Sequence, residues 1–286
     1  MSISRARRED IPRLKKLWTE CFKGDEEFSE RYFNEYFDEN CGIMLLGDDG
    51  SLQSAVYCFD MMFRHNGTDH PVIMLYAVGT FPEYRCRGNI RKLFDFLSGY
   101  CTENGISGMV LSAEDEYKAV YEKCGGVGDI TLSETMLRPG RCSSPLAFEK
   151  CSFDDFAAMR NSYLNSTDGS FFWKERELRF VYSDLVNCGD VLKTHIGGKE
   201  HYAVISTEGG ISVKETDIST ECGGLLADSL AVHYSYSGDI LFRGKTDRFY
   251  KGNVVRQENV YFGHRFCGPL LSVPDPGNMY FNLILD

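Results

Sequence analysis

Apolar positions along the first half of the chain alternate between helical spacing and strand-like runs, and the alternation predicts nine elements in the order β-α-α-β-β-β-α-β-α. Ile3-Ser4-Arg5-Ala6 reads as a short strand. Asp10 and Pro12 then mark a helix start, with Asp10 as cap and Pro12 in the first turn. Ile11, Leu14, Leu17, Trp18 and Cys21 follow at helical spacing. A second helix is expected over Glu26 to Phe37, rich in aromatic residues. Ile43–Leu46 and Leu52–Phe59 read as strands around the turn Gly47-Asp48-Asp49-Gly50. His65-Asn66-Gly67 is a further turn, and Val72–Thr80 is a strongly apolar strand. An amphipathic helix over Asn89–Asn104 carries Leu93, Phe94, Leu97 and Tyr100 on one face and closes at Gly105. Met109–Ser112 is a short strand. Ala119–Lys123 lies on a helix that stops at Gly125-Gly126.

This order predicts a mixed α/β domain over residues 1–138. The Pro/Gly/Ser-rich text from Arg138 to Pro145 places a linker at 139–145 and a second domain at 146–286. The second half restarts the pattern. Asp155-Phe156-Ala157-Ala158-Met159 echoes Asp10-Ile11-Pro12-Arg13-Leu14, and Asn187-Cys188-Gly189 echoes Asn40-Cys41-Gly42. Ala203-Val204-Ile205 likewise echoes Ala55-Val56-Tyr57. An internal duplication accounts for these echoes; chance likeness between two α/β domains is the alternative. Further strands are expected at Val191–Ile196, Ala203–Thr207, Ile211–Lys214, Ile240–Arg243 and Tyr280–Leu285.

Composition narrows the class. The chain has 286 residues, enough to bury a sizeable core, and 43% of them are hydrophobic. Lys+Arg of 31 against Asp+Glu of 42 gives a net charge of −11, which argues against a nucleic-acid partner and suits a cationic one. No apolar run is long enough for a membrane helix, and the basic start MSISRARRED leads into polar text, unlike a signal peptide. Eleven cysteines without a CxxC pair read as reduced cytoplasmic thiols, and six scattered histidines show no metal-ligand spacing.

The stretch with chemistry in it runs from Leu75 to Arg91. An apolar strand ends at Val78-Gly79-Thr80, Pro82 turns the chain, and Arg85-Cys86-Arg87-Gly88-Asn89-Ile90-Arg91 opens directly into a helix. A helix start offers unpaired N–H groups and the positive end of the helix dipole. Gly88, without Cβ, lets an anion approach the backbone, and three arginines add charge. A pyrophosphate suits such a strand–loop–helix. Neither GxxxxGK[ST] nor GxGxxG is present.

The Arg85-x-x-Gly88-x-Ile90 loop resembles the RxxGxG/A loop of the GCN5-related N-acetyltransferases (GNAT), with Ile90 where Gly or Ala is usual. The run Arg85 to Arg91 looks most like the enhanced-intracellular-survival branch of that superfamily. Tyr121-Glu122-Lys123-Cys124-Gly125-Gly126 is similar to the family's Tyr-Glu-Lys-x-Gly-Phe helix end, with Gly126 in place of the aromatic. The resemblance covers residues 3–137. It implies a GNAT-type mixed sheet flanked by helices, followed by a degenerate GNAT-like α/β lobe that completes the acceptor site.

The resemblance also implies roles. The main chain of Val78, Gly79 and Thr80 would hold the pantetheine arm of acetyl-coenzyme A, and Arg85, Cys86, Arg87, Gly88, Asn89 and Ile90 its pyrophosphate. Tyr121 would protonate the leaving thiolate, with Tyr117 one turn earlier as rival. The family's usual carboxylate on the strand before the loop is missing, since Val72–Thr80 contains no acid. Glu114, or the C-terminal Asp286 that the resembling branch uses, is then the candidate base. Asp25, Glu26 and Glu27 could line a pocket for a cationic amine, or simply be a solvated helix start. Cys86 reads as an ordinary loop cysteine, and no histidine is assigned a role.

The implied activity is transfer of an acetyl group to a primary amine of a small molecule or peptide. No metal, nucleic acid or membrane is involved, and homo-oligomerisation is left open. A non-catalytic acyl-coenzyme A sensor and an aminoacyl-tRNA-dependent transferase are the alternatives.

Overall fold

The computed structural model describes residues 1–266 and 279–281. In chain order the elements are β1 (Ser2–Arg5), α1 (Ile11–Cys21), α2 (Glu26–Arg31), β2 (Gly42–Leu46), β3 (Leu52–His65), β4 (Thr68–Thr80), α3 (Asn89–Glu103), β5 (Met109–Ser112), α4 (Lys118–Lys123) and β6 (Val127–Leu137). They continue as β7 (Glu149–Lys150), α5 (Phe153–Asn165), β8 (Phe171–Trp173), α6 (Glu175–Cys188), β9 (Gly189–Ile196), β10 (Lys199–Ser206), β11 (Ser212–Thr216), α7 (Gly223–His233), β12 (Ile240–Lys245) and β13 (Val254–Phe266). Residues 138–148 between β6 and β7 have no regular structure. Among the described residues no helix is long and apolar enough to cross a membrane.

Two compact units share these elements. The first holds Met1–Met62, His70–Asp129 and the stretch from Gly263 to the end of β13. The second holds Phe63–Asp69, Ile130–Phe262 and the described residues 279–281. In the first unit the strands run β1-β2-β3-β4-β5, with the last four residues of β13 beyond β5. β1 pairs β2 and β2 pairs β3 antiparallel, whereas β4 pairs β5 parallel. The parallel step needs a crossover, and α3 provides it.

The second unit repeats this plan. Its order is β7-β9-β10-β11-β12, followed by β6, and the parallel step from β11 to β12 is crossed by α7. Two helices, α5 and α6, precede β9 as α1 and α2 precede β2. The echoes between the two halves of the sequence thus fall on equivalent elements of one repeated topology.

The cores differ. In the first unit Trp18 is buried among Phe22, Phe28, Tyr32, Phe33, Tyr57 and Tyr76, with ring centroids 4.9 to 6.0 Å away. Trp18 is the eighth residue of α1, and the eighth residue of α5 is Arg160, paired with Glu215 of β11 in the buried interior. One unit therefore places a ring cluster under its first helix, and the other an ion pair.

Several expectations need correcting. The helix expected over Glu26 to Phe37 is α-helical only to Arg31 and continues as a π-helical turn over Tyr32–Tyr36, which turns Tyr32, Phe33 and Tyr36 into the core together. Asp10 stands at the start of α1, but its carboxylate accepts from the Arg7 amide (2.7 Å) and from Arg13 (2.5 Å), not from an amide of α1. Strands β3 and β4 are longer than their apolar cores, because they continue as a hairpin to Asn66 and Gly67, both at positive φ. Of the strand expected at Tyr280–Leu285 only Tyr280 and Phe281 are among the described residues, and Tyr280 bridges to Ser170.

Candidate active site

The site is built where β4 ends and α3 begins. Registered pairing of β4 with β5 covers Ile73 with Met109 and Met74 with Val110, and stops there. Three residues later Ala77 has a φ of 45°, a backbone conformation that residues with a Cβ adopt reluctantly. β4 thus leaves its partner and kinks before Val78, Gly79 and Thr80. Val78 packs against the core of the first unit. A Cβ on Gly79 would lie 3.3 Å from Cys21 Sγ. Thr80 is buried; its hydroxyl meets that of Ser54 at 3.0 Å, and its carbonyl accepts from Cys21 Sγ (3.4 Å) and Arg85 Nε (3.1 Å).

After Phe81 a short 3-10 turn, Pro82–Tyr84, leads into the loop. Cys86 and Gly88 both lie in the left-handed region, at φ 61° and 71°. Gly88 is the residue before α3, and no side chain caps the helix. A Cβ on Gly88 would have nothing within 4 Å. Among the described residues no hydrogen bond within the protein is recorded for the amides of Cys86, Arg87, Gly88, Asn89 and Ile90. The loop is pinned from beneath by the buried Asn89 side chain, which donates to Gln53 Oε1 (3.2 Å) and the Tyr84 carbonyl (3.4 Å).

The arginines are tied to the protein rather than held outward. Arg85 holds the Thr80 carbonyl, Arg87 donates to the Glu83 carbonyl (2.8 Å) and lies over the Tyr84 ring, and Arg91 donates to the Lys123 carbonyl (3.2 Å). They brace the loop and lend it charge, and the N–H groups form its open face. Exposed Cys86 contributes its backbone bend. The matching place in the second unit is filled. A Cβ on Gly223, the first residue of α7, would lie 2.7 Å from the Lys251 carbonyl oxygen and 2.9 Å from Tyr250 Cβ. A cradle of open amides thus forms at α3, while the start of α7 is packed by its own chain.

Tyr121 lies on α4, beside Phe94 of α3 (ring centroids 5.9 Å), and burial pushes its phenol up to about 12. Tyr117, one turn earlier, is half exposed and bonds Glu116, which raises its phenol. Glu114 is exposed and accepts the Tyr117 amide through its carbonyl (3.0 Å). Asp286 lies outside the described residues. Asp25, between α1 and α2, accepts from the Trp18 indole at 2.9 Å, and burial raises its carboxyl. Glu26 and Glu27 occupy the first turn of α2.

Two neighbours of Tyr121 escaped the sequence reading because they come from the far end of the chain. His264 and Phe266 of β13 pair Leu111 and Met109, and their rings lie 6.0 and 6.5 Å from that of Tyr121. The Phe266 ring also lies against Gly126, where a Cβ would meet it at 2.8 Å. The aromatic missing at position 126 is therefore replaced in space by Phe266.

Residues 2–126 match the acetyltransferase (GNAT) domain family. No curated protein matches the sequence. Among solved structures, a conserved protein of unknown function and probable N-acyltransferase from Enterococcus faecalis V583 superposes with a TM-score of 0.74 at 14% identity, covering 92% of this chain and 72% of that one. A GCN5-related N-acetyltransferase from Anabaena variabilis gives 0.71 at 15% identity, covering 92% and 72%. Eis1 from Mycobacterium abscessus gives 0.64 at 12% identity, covering 94% and 74%. The family match thus spans residues 2–126, under half of the chain, and over more than nine-tenths of its length the chain shares the fold of these solved structures.

Proposed function

We propose that the protein is an acetyl-coenzyme A-dependent N-acetyltransferase acting on a primary amine, and that its acceptor is cationic. The observation that carries this reading is the row of open amides at 86–90, running from the loop into the first residues of α3, at a glycine whose Cβ position is empty. That row fits a pyrophosphate, which needs close N–H donors and no side chain in its way. The kinked end of β4, past its last registered pair with β5, gives a pantetheine arm a strand edge at Val78 and Gly79.

Acetyl-coenzyme A supplies the acyl group as an activated thioester. The residues of the chain then have two proton tasks. A carboxylate must take a proton from the incoming ammonium, so that a neutral amine attacks. The Tyr121 phenol must give a proton to the departing sulfur. Burial keeps this phenol protonated through neutral pH, so it is always loaded. β4 holds no acid at 72–80, so Glu114 and Asp286 are proposed for the first task. Asp25, half-buried against Trp18, and the net charge of −11 support a cationic acceptor such as a polyamine, an aminoglycoside-like compound or a lysine side chain.

The test is release of coenzyme A thiol from acetyl-coenzyme A in the presence of spermidine, kanamycin or a lysine peptide. Turnover is expected with at least one amine, and Tyr121→Phe should lower kcat by about 100-fold or more with little change in KM for the thioester. Tight coenzyme binding without turnover on any amine would instead favour a sensor.

A further inference from the structure

Both ends of the loop between β4 and α3 come back to one residue of β3. At the start of the loop the Phe81 amide donates to the Gln53 carbonyl at 3.0 Å. At its other end Asn89, the first residue of α3, donates from Nδ2 to Gln53 Oε1 at 3.2 Å. The same Nδ2 donates to the carbonyl of Tyr84, between the two ends, at 3.4 Å. Gln53 and Asn89 are 6% and 3% exposed, so this fastening lies in the interior, beneath a loop whose outer face is open. The far end of the Gln53 amide is seated as well, since a Cβ on Gly47 would lie 2.8 Å from its Nε2. Beside it the buried hydroxyls of Ser54 and Thr80 meet at 3.0 Å. The span 81–89 is thus closed on β3, by main chain at one end and by a side-chain amide at the other.

A primary amide in the interior costs free energy unless its polar atoms find partners, and an apolar side chain would fill the same space at less cost. The Gln53 amide instead spends its oxygen on Asn89, and so specifies one shape of the loop. We propose that Gln53 is a positioning residue for coenzyme binding: through Asn89 it holds the open amides of 86–90 in the curve that a diphosphate requires. This rests on the proposed role of that loop and deepens it. The curve includes Cys86 and Gly88 at φ 61° and 71°, and a residue with a Cβ leaves the left-handed region readily when nothing holds it there. A loop ordered before the ligand arrives gives tighter binding than one the ligand must order itself. With the Asn89 end released, the coenzyme has to supply that ordering, and its affinity falls.

The test is calorimetric titration of coenzyme A into the wild type, Gln53→Met, Asn89→Ala and the double variant, with thermal unfolding of each free protein as the check on the fold. Gln53→Met follows the shape of the side chain, keeps the main-chain bond to Phe81 and removes the acceptor for Asn89; Gln53→Leu takes its place if Met does not pack. Gln53→Met should weaken coenzyme A about tenfold, as the loss of one amide hydrogen bond implies. In the Asn89→Ala background the same substitution should change affinity less than about twofold, because the side chain through which it acts is gone. Hydrogen exchange in the free protein gives a second reading. The Tyr84 and Arg85 amides, bonded within the loop, should exchange several-fold faster in Gln53→Met, while amides of β4 and α3 keep their rates. Unchanged affinity, an equal loss in both backgrounds, or unchanged loop exchange overturns the proposal and leaves the loop reading standing. A wild type that binds no coenzyme A, or a Gly88→Trp variant that binds it as the wild type does, overturns the loop reading itself, and the positioning role with it.

Discussion

Removing one half of the Arg160–Glu215 pair should cost the second unit far more than removing both halves. Arg160 and Glu215 side chains are 1% and 0% exposed, with Nε to Oε1 at 2.7 Å and Nη2 to Oε2 at 3.2 Å. The Tyr202 hydroxyl donates to the same Oε1 at 2.9 Å. Arg160→Met leaves a carboxylate in the interior with one hydroxyl for company, a loss of about 3–5 kcal/mol. Arg160→Met with Glu215→Leu removes both charges and leaves only the Tyr202 hydroxyl unpaired, about 1–3 kcal/mol. Adding Tyr202→Phe removes that debt, so the triple variant should lie within about 2 kcal/mol of the wild type. Urea unfolding followed by circular dichroism and by fluorescence measures each variant, the two probes being needed because the two units need not unfold together. The reasoning fails if the double variant is as unstable as Arg160→Met, since the buried carboxylate would then not be what the single substitution exposes.

Gly126→Ala would press a methyl against the Phe266 ring and the Tyr121 carbonyl, so a loss of about 1–3 kcal/mol is expected, and Phe266→Leu in the same chain should recover part of it in thermal unfolding. Ionisation of Tyr121 should leave the pH profile of kcat untouched below about pH 11, because its phenol is pushed up to about 12; an alkaline fall below pH 10 that disappears in Tyr121→Phe would count against this. The same raised phenol favours the folded state up to the unfolded value near 10, and this contribution is lost as pH rises from there through about 12. Arg87→Ala and Arg91→Ala, whose side chains are tied to the Glu83 and Lys123 carbonyls, should each weaken coenzyme A binding by less than about tenfold in calorimetry.

Local chemistry made the first unit readable. The apolar spacing of α1 and α3, the turn at Gly47-Asp48-Asp49-Gly50 and the Arg/Gly loop before α3 are all written within short windows of sequence. Those windows carry the order of elements and the position of the strand–loop–helix before α3. What they could not give is pairing between distant residues. β13 meets β5 across more than half the chain, so nothing near Tyr121 in sequence announces His264 or Phe266. β6 was missed because its strand run, Val127–Leu137, mixes Gly, Asp, Thr, Ser and Glu among its apolar positions, and its pairing to β12 is long-range. Nothing in its sequence neighbourhood marks Arg160 as buried, and the opposing Glu215 explains it. Similarly, the sequence shows the arginines of the loop only as added charge, and their carbonyl partners at Thr80, Glu83 and Lys123 come into view with the fold.

The central claim is that the amides of 86–90 hold the diphosphate of the coenzyme. Calorimetric titration of coenzyme A into the wild type and a Gly88→Trp variant tests it most directly. Gly88 sits at φ 71° with open space at its Cβ, so the indole fills the cradle while the fold loses about 1–2 kcal/mol of left-handed strain. The account predicts binding to the wild type and loss of about 100-fold or more in the folded variant, whereas equal affinity in both would contradict it.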